Sequence, residues 1–239
     1  LNALDANTTA GYNTAVGNNA LSAVTTSGNN TAVGWSALTL NTGLNNTAVG
    51  AYALDSQTAA AGNVAVGMAA GNGITTGAGN TCVGLYALAT VTTGTTNTAV
   101  GSYAVYLATG GSNTGVGWGA LENTSTGASN SSLGTASLRA NTTGDTNTAV
   151  GANCLVANTT AADNTAVGES AGAAITTGGL NCLLGSDSGD NITTGAQNIC
   201  IGNSTSTSAV GSTNQIVMGQ GVTGNSNDSF AFGNHATDT

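Results

Sequence analysis

The chain has 239 residues, of which 5% are charged and 4% aromatic, no proline, and a formal net charge of −9. Arg139 is its single Lys or Arg side chain; release of counterions from a phosphate backbone needs several such groups and anionic lipid needs a basic cluster, so neither nucleic acid nor an acidic membrane surface is a partner. No apolar run approaches the length of a membrane span, and Val, Ile and Thr placed at fixed intervals in a 40% hydrophobic chain depart from the composition of disordered tracts.

The first residues already belong to a repeat. Ala3-Leu4 and Thr8-Thr9 fall where later repeats carry Ala-Leu and Thr-Thr, which reads as a piece of a longer chain or a processed product. The run Asn-Thr-Ala-Val-Gly then closes at Gly17 and returns, identical or varied, at Gly34, Gly50, Gly67, Gly84, Gly101, Gly117, Gly134, Gly151, Gly168, Gly185, Gly202, Gly219 and Gly233. The interval is 17 residues, shortened to 16 before Gly50 and Gly117 and to 14 before Gly233. Residues 1–219 are therefore regular repeats, and 220–239 form an irregular terminal coil and tail.

Each column of the repeat has its own chemistry. Four residues before the glycine stands Asn: Asn13, Asn30, Asn46, Asn63, Asn80, Asn97, Asn113, Asn130, Asn147, Asn164, Asn181 and Asn198. One before it is a large apolar residue, Val16, Val33, Val49, Val66, Val83 and Val100 in the first six coils and later Leu133, Leu184, Ile201, Met218 or Phe232. Eight after it stands Thr: Thr25, Thr42, Thr58, Thr75, Thr92, Thr109, Thr142, Thr159, Thr176 and Thr193.

Seventeen residues are too few for a helix–turn–helix repeat and too many for a heptad, and glycine in every repeat costs a helix roughly 1 kcal/mol each time. Thr-Ala-Val alternates at period two, which is a strand pattern. Two short strands joined by Gly/Asn turns fit the repeat, since both residues tolerate positive φ. The fold class is all-β: a parallel β-solenoid, or β-roll, of about fourteen 17-residue coils. Stacking at about 4.8 Å predicts a rod of roughly 65–70 Å, with each Asn above the next in an amide ladder. The Asn, Val and Gly columns are expected to set turns, core and pitch.

Neither face of the Thr-Ala-Val strand is polar. Val16 and Thr14 share one face, Ala15 and Gly17 the other. A parallel strand apolar on both sides is buried on both sides, so the second face needs a partner. The simplest closed arrangement is a parallel homotrimer; the alternative is a monomer with small side chains lightly exposed.

These residues resemble the left-handed β-roll head repeats of trimeric autotransporter adhesins, whose motif reads Asn-Ser-Val-Ala-Ile-Gly, and still more the shaft repeats of phage tail fibres. Asn214-Gln215-Ile216-Val217-Met218-Gly219 and Asp228-Ser229-Phe230-Ala231-Phe232-Gly233 match the adhesin motif best; in the first twelve coils the Asn sits one place nearer the Gly. The resemblance implies a trimeric shaft, extracellular or on a virion surface, that presents or forms a receptor-binding region, with cell-surface glycan as a candidate partner.

Other candidate sites read as parts of the repeat. Cys82, Cys154, Cys182 and Cys200 match no zinc spacing and each replaces a small or apolar column residue; Cys182 and Cys200 fall on opposite faces, which argues against a bridge. His235 reads as a surface residue, and Asp187 and Asp190 as solvated carboxylates instead of calcium ligands. Trp35 and Trp118, just after the glycine, are contacts for glycan or for a chain interface. The Thr column stands as a surface array. It is suited to stacking, with hydroxyls on turn backbone, or alternatively to ice or glycan. Asn29-Asn30-Thr31, Asn141-Thr142-Thr143 and Asn158-Thr159-Thr160 match a glycosylation pattern. No cofactor, metal or catalytic step is expected; the sequence reads as a structural fibre or filament shaft.

Overall fold

The computed structural model describes residues 2–233. The chain divides into two compact units, residues 1–119 and 120–239. The first holds seven three-residue strands: β1 (Thr14–Val16), β2 (Thr31–Val33), β3 (Thr47–Val49), β4 (Val64–Val66), β5 (Thr81–Val83), β6 (Thr98–Val100) and β7 (Thr114–Val116). The second holds β8 (Ser131–Leu133), β9 (Thr148–Val150), β10 (Thr165–Val167), β11 (Cys182–Leu184), β12 (Ile199–Ile201), β13 (Ile216–Met218) and β14 (Phe230–Phe232). Within each unit successive strands pair in parallel, like residue on like: Thr31 beside Thr47, Ala32 beside Ala48, Val33 beside Val49, and Thr148 beside Thr165 in β9 and β10. The register survives the short last interval, where Ile216 still pairs with Phe230. The fold is an all-β parallel solenoid, with one strand per repeat.

Each coil contains one strand, not the two expected. The remaining residues turn because left-handed backbone recurs at three positions: the residue before the Asn column (Asn29, φ 60°), two after the glycine (Ser36, φ 54°) and four after it (Leu38, φ 52°). An extended second strand does not survive such interruptions. The turns are still bonded coil to coil: the N–H of Leu38 donates to the carbonyl of Ala53 (3.0 Å), and that of Thr58 to Thr75 (3.0 Å). Backbone polar groups around the coil thus find partners in the next coil, as buried groups must.

Leucine in left-handed backbone costs about 1–2 kcal/mol. Leu21, Leu38, Leu54, Leu88, Leu121, Leu138 and Leu155 accept it and are fully buried, and burying such a side chain contributes about 1.5–3 kcal/mol. The interior is the leucine column together with the middle residue of each strand, where Ala32, Ala48, Ala65, Cys82, Ala99, Ala149 and Ala166 are fully buried.

The expectation that the Val column supplies the chain's own core is overturned. Val16, Val49, Val66, Val83 and Val100 are 36–58% exposed, because the leucines entering from the turn leave room beneath the strand only for a small residue. Alanine takes that inward place, and Thr and Val, on the other side of the pleat, point out.

The glycine column holds the coils together at their closest approach. A Cβ added to Gly84 (φ 134°) would lie 2.6 Å from the carbonyl carbon and oxygen of Gly101. No side chain fits between two backbones that close.

Candidate functional surface

The Asn column forms a buried ladder in each unit. The N–H of Asn80 donates to Asn63 Oδ1 (2.8 Å), and its own Nδ2 donates to Asn63 Oδ1 (3.2 Å) and to the Gly94 carbonyl (2.9 Å). Asn97 repeats the pattern onto Asn80 Oδ1. In the second unit Asn147, Asn164, Asn181 and Asn198 each stack on the Asn before them in the same way. One amide thus ties the strand of its own coil to the turns of both neighbours. This is a structural role, and it fits a residue type with two acceptor and two donor sites.

A second ladder lies seven residues after the glycine. Gln57 Nε2 donates to Asn41 Oδ1 (3.0 Å), and Asn158 Nδ2 to Asn141 Oδ1 (3.0 Å). The following coil offers Ile175 at that column, and Asn158 Oδ1 is left buried without a partner. Asn141 and Asn158 are fully buried, so neither is a glycan acceptor; Asn29, at the remaining pattern, is exposed.

The Thr column is committed to stacking. Thr58 Oγ1 donates to the Thr75 carbonyl (3.2 Å), Thr75 to Thr92 (3.1 Å), Thr142 to Thr159 (2.9 Å), Thr159 to Thr176 (3.0 Å) and Thr176 to Thr193 (3.2 Å). Thr8 Oγ1 donates to the Thr25 carbonyl in the same way (3.2 Å), and Thr193 Oγ1 to the Val210 carbonyl (3.3 Å). Hydroxyls turned onto carbonyls of the next coil are not presented as a lattice to solvent.

The outward array lies instead on the strands. One column reads Thr14, Thr31, Thr47, Val64, Thr81, Thr98, Thr114 in the first unit, and the other is its valines. In the second unit the same columns grow more apolar toward the C-terminus, through Cys182 and Leu184, Ile199 and Ile201, to Phe230 and Phe232, which are 61% and 71% exposed. None of the fourteen strands among the described residues carries a charged residue. Period-two alternation announced this pair of faces, but not which one would be outside.

Of the cysteines, Cys82, Cys154 and Cys200 are buried and Cys182 is exposed, all as free thiols. Burial pushes the first three thiols up to about 12, which keeps them protonated and unreactive at neutral pH. Cys200 pairs in register with inward Leu183, and outward Cys182 with Ile199, so the two cysteines do face opposite ways. Asp187 accepts from Ser186 Oγ (3.2 Å) and Asp190 from Ser206 Oγ (2.7 Å). Among the described residues no group of three His, Cys, Asp or Glu side chains is placed to hold a metal ion. Arg139 pairs with Glu122 in the preceding coil (2.6 Å), and His235 lies outside the described residues. Trp35 and Trp118 are each about half exposed, and Trp35 packs edge-on against Tyr52 at 4.6 Å. No helix among the described residues is long and apolar enough to cross a membrane.

A scan against protein-family models finds no match to this chain, and a search of curated proteins finds none either.

Proposed function

We propose that this chain is a structural segment of a fibre or filament, extracellular or on a virion surface, in which copies of the chain pack side by side as a parallel homotrimer. No catalytic step belongs to this reading. The observation that carries it is the strand face. Val16, Val49, Val64, Val66, Val83 and Val100 on it are 36–58% exposed, and no strand among the described residues carries a charge in a chain of net charge −9. Copies that repel one another elsewhere can approach through that face, and apolar faces of this regularity mark interaction surfaces. Three identical parallel faces around one axis close without leaving a further apolar face.

The coils support the mechanical half of the reading. Each bonds only to its neighbours, so length is added by repetition and stiffness arises from nearest-neighbour contacts. The Thr column bears on the alternative of an ice- or glycan-binding lattice: its hydroxyls donate to carbonyls of the next coil, which favours the stacking role.

Negative-stain electron microscopy, with a light-scattering mass on the same sample, tests this reading. Elongated particles with a mass near three times 22.7 kDa are expected. Compact particles of a single chain would contradict it.

A further inference from the structure

Seven of the nine aromatic side chains belong to the first unit, and six of these, Trp35, Tyr52, Tyr86, Tyr103, Tyr106 and Trp118, lie between residues 35 and 118. Of these six, all but Tyr106 occupy the two columns directly after the repeat glycine. Met68 fills the coil between Tyr52 and Tyr86, so six consecutive coils each present one large flat or apolar group on the same edge. The backbone aligns them: the N–H of Tyr52 donates to the Trp35 carbonyl (2.8 Å), that of Tyr86 to Met68 (3.1 Å) and that of Tyr103 to Leu85 (2.9 Å). Trp35 meets Tyr52 edge-on at 4.6 Å, Tyr86 stacks on Tyr103 at 5.5 Å, and Tyr106 meets Tyr103 at 5.6 Å.

The fold does not ask for these rings. In the second unit the column just after the glycine reads Thr135, Ala152, Glu169, Ser186 and Asn203, and the next reads Ala136, Asn153, Ser170, Asp187 and Ser204. Tyr52, Tyr86 and Tyr103 also stand in left-handed backbone, at φ 60°, 55° and 58°. Asn, Asp and Gly occupy that conformation cheaply, and they do so here at Asn19, Asn153, Asp187 and Gly119. Buried leucines recover the cost of the same conformation from the core. The three tyrosines are only partly buried and recover little. Strain held at a bulky, partly exposed side chain points to use, not to stability.

We propose that this strip is a binding platform for a neutral polysaccharide. Aromatic rings with polar rims present an apolar face for the C–H side of a pyranose, while phenol O–H and indole N–H groups reach its hydroxyls. The two columns carry no charged residue in the first unit, and the chain as a whole, with a net charge of −9 and a single Arg, disfavours acidic polymers. One ring or apolar group per coil over six coils matches a repeating ligand better than a single sugar. The proposal does not depend on how chains assemble.

Calorimetric titration of the full chain with chitohexaose and with cellohexaose tests it, with oligogalacturonate as an acidic control. The decisive variant is Tyr52→Asn/Tyr86→Asn/Tyr103→Asn, because asparagine is native to that column. A neutral hexasaccharide is expected to bind the parent chain, and at least tenfold more weakly in the variant, with a Tm no lower than the parent's. Trp35→Ala/Trp118→Ala, at half-exposed positions, gives a second reading should the first variant fold poorly, and is expected to weaken binding similarly. Failure of both neutral sugars to bind the parent overturns the proposal, as does unchanged affinity in the variants or preference for oligogalacturonate. Loss of self-association by light scattering in the variants would make the strip a contact between copies and overturn it as well.

Discussion

Gly71 and Ile74 share the space that one leucine fills in the neighbouring coils. A Cβ on Gly71 would meet Leu54 Cδ2 at 2.8 Å, Ile74 Cδ1 at 3.1 Å and Cys82 Sγ at 3.3 Å. Where the column carries leucine, the residue three places on is Val24, Asn41, Gln57, Val91, Thr124, Asn141 or Asn158; where it carries glycine, it is Ile74, Ile175 or Ile192. Gly172 and Ile175, and Gly189 and Ile192, make the same exchange. Gly71→Leu alone therefore overpacks the core and is expected to cost about 1–3 kcal/mol. Adding Ile74→Val, which recreates the Leu88–Val91 pair, is expected to recover most of that loss. Thermal unfolding of both variants measures this coupling, and simple additivity would count against it.

The buried amide ladder makes a second prediction. Asn80→Ala removes the acceptor for the Asn97 N–H and side chain and the donor to Gly94. Orphaned buried groups cost about 1–3 kcal/mol each, so a loss of about 2–6 kcal/mol is expected by denaturant titration. Thr76→Ala, at an exposed position one residue beyond the stacking threonine, is expected to change stability by less than about 0.5 kcal/mol.

The buried thiols give the chain an alkaline weakness. Cys82, Cys154 and Cys200 hold their protons up to about 12, against an ordinary value of 9.0. Between those values the unfolded chain has released protons that the folded chain still binds, so stability falls as pH rises from about 9. Cys82→Ala/Cys154→Ala/Cys200→Ala, which installs the residue common to those columns, is expected to flatten the slope of Tm against pH above 9. An unchanged slope would assign the alkaline loss to other groups.

The repeat length, the stacking of like on like and the roles of Asn13 to Asn198 and of Gly17 to Gly101 were legible in the sequence, because an amide ladder and a glycine-only approach each demand one residue type at one spacing. The direction of the strand was not. Alternation separates Ala32 from Thr31 and Val33 without saying which side is inside, and the larger side chain was the natural choice for a core. What reverses it is the leucine four residues after the glycine, which fills the interior from a left-handed backbone that leucine rarely adopts. The same turns remove the expected second strand. Thr58 and Thr75 could be placed in a column from spacing alone, but the orientation of their hydroxyls depends on where the next coil's carbonyls lie.

Val66 and Val83 pair in register on the outer face of β4 and β5 at 40% and 36% exposure, so charge placed there lies away from the chain's own core and falls on the face through which we propose that copies assemble. The most direct measurement is the light-scattering mass of the parent chain beside Val66→Asp/Val83→Asp, with circular dichroism on both. A multimeric parent and a variant of 22.7 kDa with the same spectrum are the expected result. A monomeric parent, or a variant that keeps the parent's mass, would contradict assembly through the strand face.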